Sequence, residues 1–136
     1  MSNWALILGA SSGIGASCAK ELAKKGVNIY GIYLRKKSDV IDKLTSELKS
    51  YGIEVIYKKM SATNELKRAE VMDELKNIKD INIKVFVHSL AFGTLKPMIA
   101  DNDDDMLNQK NIEMTLDVMS NSLVYWTQDL FKNHLF

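Results

Sequence analysis

The stretch GASSGIG, Gly9 to Gly15, sets three glycines and two serines directly after an apolar run. Glycines permit a tight turn and let backbone N–H groups approach an anion closely. A helix starting inside such a loop aims its free N–H groups and positive dipole end at the same point. Ser11 and Ser12 add hydroxyl donors. The chemistry this suits is a grip on a pyrophosphate by Gly9, Ser11, Ser12, Gly13, Ile14 and Gly15. The spacing is G-x-x-x-G-x-G rather than G-x-G-x-x-G. The alternative is a strand-to-helix turn without a ligand.

A second group of candidates stands at Arg35-Lys36-Lys37, with no acid before Asp39. After the second strand of a dinucleotide fold, an acid accepts from the ribose 2′-OH of NAD, whereas an arginine accommodates the 2′-phosphate of NADP. A guanidinium forms paired, charge-assisted hydrogen bonds to phosphate. Arg35 therefore predicts NADPH over NADH. The alternative is a solvated cationic turn.

These residues need a frame. Trp4 to Leu8 is continuously apolar, as a strand covered on both faces would be. Ala16 to Lys25 carries helix formers, and Gly26 sits where a C-cap glycine belongs. Val27 to Leu34 reads as a second strand. Ser38 or Asp39 is positioned to cap a helix to Tyr51, with Ile41, Leu44 and Leu48 on one face and Gly52 as its stop. Ile53 to Lys59 reads as a third strand. Asn64 is positioned to cap a helix bearing Leu66, Val71, Met72, Leu75 and Ile78. Ile83 to His88 reads as a fourth strand, and a last helix runs from about Asn111 to Lys132. Strands alternating with helices predict an α/β, Rossmann-like doubly wound parallel sheet with right-handed crossovers. In a Rossmann-like domain these four strands are expected in the order 3-2-1-4. Strand four would then be an open apolar edge, which something must cover.

Composition narrows the classes. Of 136 residues, 46% are hydrophobic and 26% charged, with one proline, so the chain can bury a core. Eighteen basic against 17 acidic residues leave a net charge of +1. That balance argues against a nucleic-acid partner. Cys18 is the single cysteine, which excludes an internal disulfide and a cysteine metal cluster and suits a cytoplasmic setting. No metal site is expected. DNDDD at 101–105 lacks the glycine and distant glutamate of a calcium loop and reads as a solvated turn. MSNWALILGA is too short an apolar stretch for a membrane span.

GASSGIG at the first strand–helix junction resembles the short-chain dehydrogenase/reductase family. The resemblance runs along the whole chain but matches only the front half of a family member. The family loop usually begins with Thr, where this chain has Leu8. After the third strand the family usually carries Asp-Val; here Ser61-Ala62 stands in its place, which implies a weaker adenine contact from Ser61. Most members end strand four with Asn-Asn-Ala-Gly. This chain has His88-Ser89-Leu90-Ala91, then Phe92-Gly93, which is similar to the His-Ser-Ile-Ala/Gly-Phe segment of enoyl-acyl-carrier-protein reductases. That likeness implies cofactor contact at Ser89, Leu90 and Ala91 and an acyl substrate beside Gly93. GTLKPM also resembles the loop that follows. His88 itself is read as a hydrogen-bonded histidine at a strand end.

In the last helix Ile112, Leu116, Met119, Leu123, Trp126 and Leu130 recur in steps of three and four, a seam suited to a partner helix or to its own sheet. The resemblance implies a homo-oligomer through this helix. It also aligns Met119 with the family's catalytic Asn, a departure that enoyl reductases share. The family's chemistry rests on a Tyr-Lys pair, in which Lys lowers the Tyr pKa and Tyr serves the substrate oxygen. Tyr33/Lys37 and Tyr125/Lys132 match its spacings but not its place after strand five, so both are read as coincidences. The pair is expected after residue 136, and the chain alone is expected to be inactive. The resemblance thus implies an NADPH-dependent reductase of enoyl thioesters in fatty-acid synthesis. A carbonyl reductase, such as one acting on 3-oxoacyl thioesters, is the alternative. A nucleotide-binding module without turnover is the third reading.

Overall fold

The computed structural model describes residues 1–136. Its strands are β1 (Ser2–Leu8), β2 (Asn28–Tyr33), β3 (Val55–Lys59) and β4 (Ile81–His88). They form one parallel sheet in the order β3-β2-β1-β4, as expected. The helices are α1 (Gly13–Lys24), α2 (Ser38–Lys49), α3 (Glu65–Lys76), α4 (Gln109–Leu116) and α5 (Ser122–Lys132), with a π-helical turn at Asp117–Asn121 between the last two.

Alternation along β1 builds the two layers. Trp4, Leu6 and Leu8 face one way, onto Val71, Met72 and Leu75 of α3 and Trp126 and Leu130 of α5. Ala5 and Ile7 face the other way, onto Ala19 and Ala23 of α1 and Leu44 and Leu48 of α2. All five β1 residues from Trp4 to Leu8 are fully buried, which is why the segment reads as an unbroken apolar run. Each large side chain among them contributes roughly 1.5–3 kcal/mol by leaving water. The small residues Ala19 and Ala23 let α1 lie close to the sheet.

The register aligns Leu8 with Ile32 of β2 and His88 of β4. The carboxyl ends of three strands therefore finish level. The chain order reverses between β1 and β4, the place where an open α/β sheet forms its ligand crevice. The register shifts between Trp4 and Ala5, so Lys84 of β4 is left without a partner and exposed. Beyond β4 there is no further strand, and Val85, Phe86 and Val87 are half-buried.

Four expectations need correction. Helix α2 begins at Ser38 with Lys37 as its N-cap, and neither Ser38 nor Asp39 caps it; Asp39 instead lies in the first turn, where its charge favours the dipole. Leu66 is 78% exposed, because α3 turns Arg68, Val71, Met72 and Leu75 to the sheet. The last helix starts earlier, at Gln109, with Asn108 and Asn111 forming a reciprocal cap. Its apolar seam also splits. Ser122, Trp126 and Leu130 are buried, while Ile112, Leu116, Met119 and Leu123 are each about half exposed, with the π turn interrupting the α-helix between Leu116 and Ser122. Asn64 caps α3 as expected, its side chain accepting from Lys67 N–H. The acidic run forms a short exposed 3₁₀ turn at Asp103–Asp105. No helix is long and apolar enough to cross a membrane.

Candidate functional site

A crevice of about 510 Å³ opens at the carboxyl ends of β1, β2 and β4. The sequence-predicted residues Gly9, Ser11, Ser12, Gly13, Ile14, Arg35, Ser61, Ala62, Ser89, Leu90 and Ala91 all line it. Gly15 and Gly93 do not. Gly15 is buried under the loop, where a Cβ would collide with the Gly9 carbonyl oxygen and lie 3.2 Å from Ala10 Cα. It serves close packing of α1 against the loop rather than the crevice. Gly93 is backed against Thr115 of α4, and a Cβ there would lie 2.6 Å from Thr115 Cγ2.

The glycine loop is fixed from below. Gly9 and Ala10 N–H both donate to the Ile32 carbonyl at 3.0 Å. The Tyr57 hydroxyl donates to the Ala10 carbonyl at 3.0 Å. Burial pushes the pKa of that hydroxyl well up, so it stays a donor. Gly9 has φ +77°, and a Cβ there would overlap the Ser89 carbonyl oxygen and sit 2.9 Å from its carbon. The glycine thus lets the loop after β1 touch the loop after β4. Gly13, at φ +55°, has nothing within 4 Å of where a Cβ would stand. That leaves open space at the start of α1, at the wall of the crevice. Ser12 is the N-cap of α1 in extended conformation, and its side chain makes no capping bond. Its hydroxyl and the first N–H groups of α1 are therefore available to an anion. This cradle fits a pyrophosphate.

Arg35 lies on the facing wall, exposed, with its guanidinium carbon 3.8 Å from the centre of the Phe92 ring. Ser61 shares a hydrogen bond of 3.1 Å with Thr63, and both line the crevice. Ala62 is fixed by the Trp126 indole N–H, which donates to its carbonyl at 2.8 Å. Residues that sequence reasoning missed include Tyr33, Met60, Thr63, Phe92, Met114 and Val118. The first three sit at strand ends already singled out, so adjacency signals them. Met114 and Val118 come from α4 and the π turn, and no spacing in the sequence brings those elements to the crevice.

His88 Nε2 lies 2.7 Å from Ser122 Oγ, and that hydroxyl donates to the Val118 carbonyl at 2.7 Å. A hydroxyl has one proton, so Nε2 carries the hydrogen and donates. Burial lowers the His88 pKa, which favours that neutral form. The residue ties the end of β4 to the π turn, in line with its reading as a bonded strand-end histidine. Tyr33 packs edge-on against Tyr57, with ring centres 6.1 Å apart, on the β2 wall. Tyr125 donates to Asp117 at 3.0 Å, and that carboxylate raises its pKa, the opposite of what a catalytic tyrosine needs. Tyr125 is not a crevice residue. No three His, Cys, Asp or Glu side chains converge as a metal site would require.

A family profile described as short chain dehydrogenase matches residues 3–135. A very-long-chain 3-oxoacyl-CoA reductase of Coccidioides immitis is 30% identical over 71% of this chain and 27% of its own length. A 3-oxoacyl-[acyl-carrier protein] reductase from Brucella melitensis superposes with a TM-score of 0.77 at 23% identity, over 98% of this chain and 50% of that one. A short-chain dehydrogenase from Sphingobium yanoikuyae, in complex with NADPH, gives a TM-score of 0.71 at 21% identity, over 96% and 47%. The chain thus spans about half the length of these solved structures and about a quarter of the curated relative's.

Proposed function

We propose that this chain, which belongs to the short-chain dehydrogenase family, is the dinucleotide-binding part of an NADPH-dependent oxidoreductase that reduces the carbonyl of 3-oxoacyl thioesters. The observation that carries the cofactor half is the crevice itself. An uncapped helix start and open glycine stand on one wall, and Arg35, an arginine in no ion pair, stands on the other. The names of the 3-oxoacyl reductases support the substrate half and move it away from the enoyl thioester that the strand-four segment implied.

When bound, the nicotinamide supplies the hydride. The rest of the work is positioning and exclusion of water. In this reading the N–H groups of Gly13 and Ile14 and the Ser12 hydroxyl hold the pyrophosphate. Arg35 meets the 2′-phosphate, and Ser61 and Ala62 border the adenine. Ser89, Leu90 and Ala91 form the floor toward the reacting end. Met114 and Val118 close that end with apolar surface, which strengthens polar interactions inside. The half-exposed Ile112, Leu116, Met119 and Leu123 give the protein a surface for self-association.

Enoyl reduction is the second reading, favoured by His88-Ser89-Leu90-Ala91-Phe92. The test is cofactor oxidation by the protein with acetoacetyl and crotonyl thioesters, using NADPH and NADH in parallel. The expected result is turnover of acetoacetyl thioester with a preference for NADPH. Turnover confined to crotonyl thioester would restore the enoyl reading. Tight NADPH binding with neither substrate consumed would favour a nucleotide-binding module.

A further inference from the structure

We propose that Phe92 is the positioning residue for Arg35, and that preference for a 2′-phosphate depends on it. The inference rests on the NADPH reading above. Arg35 leaves the end of β2 and Phe92 follows β4; the two strands flank β1 on opposite sides. Their 3.8 Å contact therefore joins the β2 side of the crevice to the β4 side. Both residues line the crevice, so the contact is part of its wall.

The geometry suits an anion. A guanidinium stacked on a ring uses its face for the ring and keeps its N–H edge free. Phosphate needs that edge, since it accepts paired N–H bonds in the guanidinium plane. Arg35 belongs to none of the chain's ion pairs, so its charge is not already neutralised. An unsupported arginine must surrender its rotamer freedom when it binds, whereas a stacked one has done so in advance.

The ring is anchored in turn. Gly93 lies so close to Thr115 that a Cβ would be 2.6 Å from its Cγ2. The Thr94 N–H donates to Thr115 Oγ1 at 3.1 Å, and that hydroxyl donates to the Asn111 carbonyl at 2.8 Å. The backbone immediately after Phe92 is thus tied to α4, and the platform under Arg35 is held by an element outside the glycine loop.

The test is calorimetric titration of the chain with adenosine 2′,5′-bisphosphate and with adenosine 5′-monophosphate. The ratio of the two affinities is the readout, because a general loss of structure weakens both. Arg35→Ala is expected to remove the preference for the bisphosphate. Phe92→Ala is expected to reduce it roughly 2- to 5-fold, the worth of an exposed cation–π contact. Phe92→Leu, which keeps apolar bulk without a π face, is expected to behave like the alanine variant, and Phe92→Trp to keep the preference. A preference that survives Phe92→Ala or Phe92→Leu, or grows in either, overturns the role of Phe92 alone. A wild-type chain with no preference overturns the NADPH reading and this inference with it.

Discussion

Gly9 and Gly13 are both in the left-handed region, and they make opposite predictions for added bulk. At Gly13 (φ +55°) a methyl group meets nothing within 4 Å. Gly13→Ala therefore loses only the backbone preference, about 1–2 kcal/mol. At Gly9 (φ +77°) the same backbone cost applies, and the methyl also lands 2.9 Å from the Ser89 carbonyl carbon and closer still to its oxygen. Carbon atoms rest at about 3.5 Å, so the loop after β4 must retreat by roughly half an ångström or more. That retreat strains the bond from Ser89 N–H to the Leu8 carbonyl, 2.9 Å long, worth about 1 kcal/mol net. Gly9→Ala should then cost about 2–3 kcal/mol in all. With a urea slope of about 2 kcal/mol per molar, its midpoint falls by roughly 1–1.5 M, against roughly 0.5–1 M for Gly13→Ala. Gly13→Asn should recover part of the smaller loss, because asparagine tolerates this conformation. Equal midpoints for Gly9→Ala and Gly13→Ala would refute the claim that loop contact, rather than backbone conformation, fixes Gly9.

Two further predictions concern the region around α4 and α5. The His88 pKa is lowered by burial from its ordinary 6.5. The unfolded chain therefore takes up a proton first as pH falls, so the contribution of His88 is complete above about pH 6.5 and is lost below it. Wild type should lose more stability than His88→Gln between pH 7.5 and pH 5.5 in urea titrations, and equal losses would remove His88 as the cause. Self-association through the half-exposed face predicts that Leu116→Lys with Leu123→Lys lowers the sedimentation coefficient while the far-UV spectrum holds. A wild-type protein that sediments as a monomer at every concentration contradicts that assembly.

Much of the frame was legible because burial on both faces leaves a plain mark. Trp4 to Leu8 has to be apolar throughout, since neighbouring side chains enter different cores. Gly26 and Gly52 ended their helices as punctuation predicts, both in the left-handed region. Crevice residues Gly9, Ser11, Ser12, Gly13, Ile14 and Arg35 were legible for a related reason: a strand-to-helix junction places them by chain connectivity alone. Gly15 shows the limit. Its type and spacing marked it as special, but whether a glycine clears room for a ligand or for its own backbone depends on what lies opposite, and here that is Gly9.

The last helix marks the same boundary. Steps of three and four carry one seam only while the helix stays α throughout. The π turn at Asp117–Asn121 interrupts the α-helix, and on α5 Leu123 is half exposed while Trp126 is fully buried. By itself the sequence determined the element order, the parallel sheet and the cationic glycine-rich crevice at its carboxyl edge, because these follow from periodicity and from contacts between chain neighbours. Tertiary structure alone decided that Phe92 underlies Arg35, that Met114 and Val118 wall the crevice, and that His88 turns inward to Ser122. Each of those contacts joins segments far apart in the chain, and their meeting depends on how the whole sheet packs against its helices.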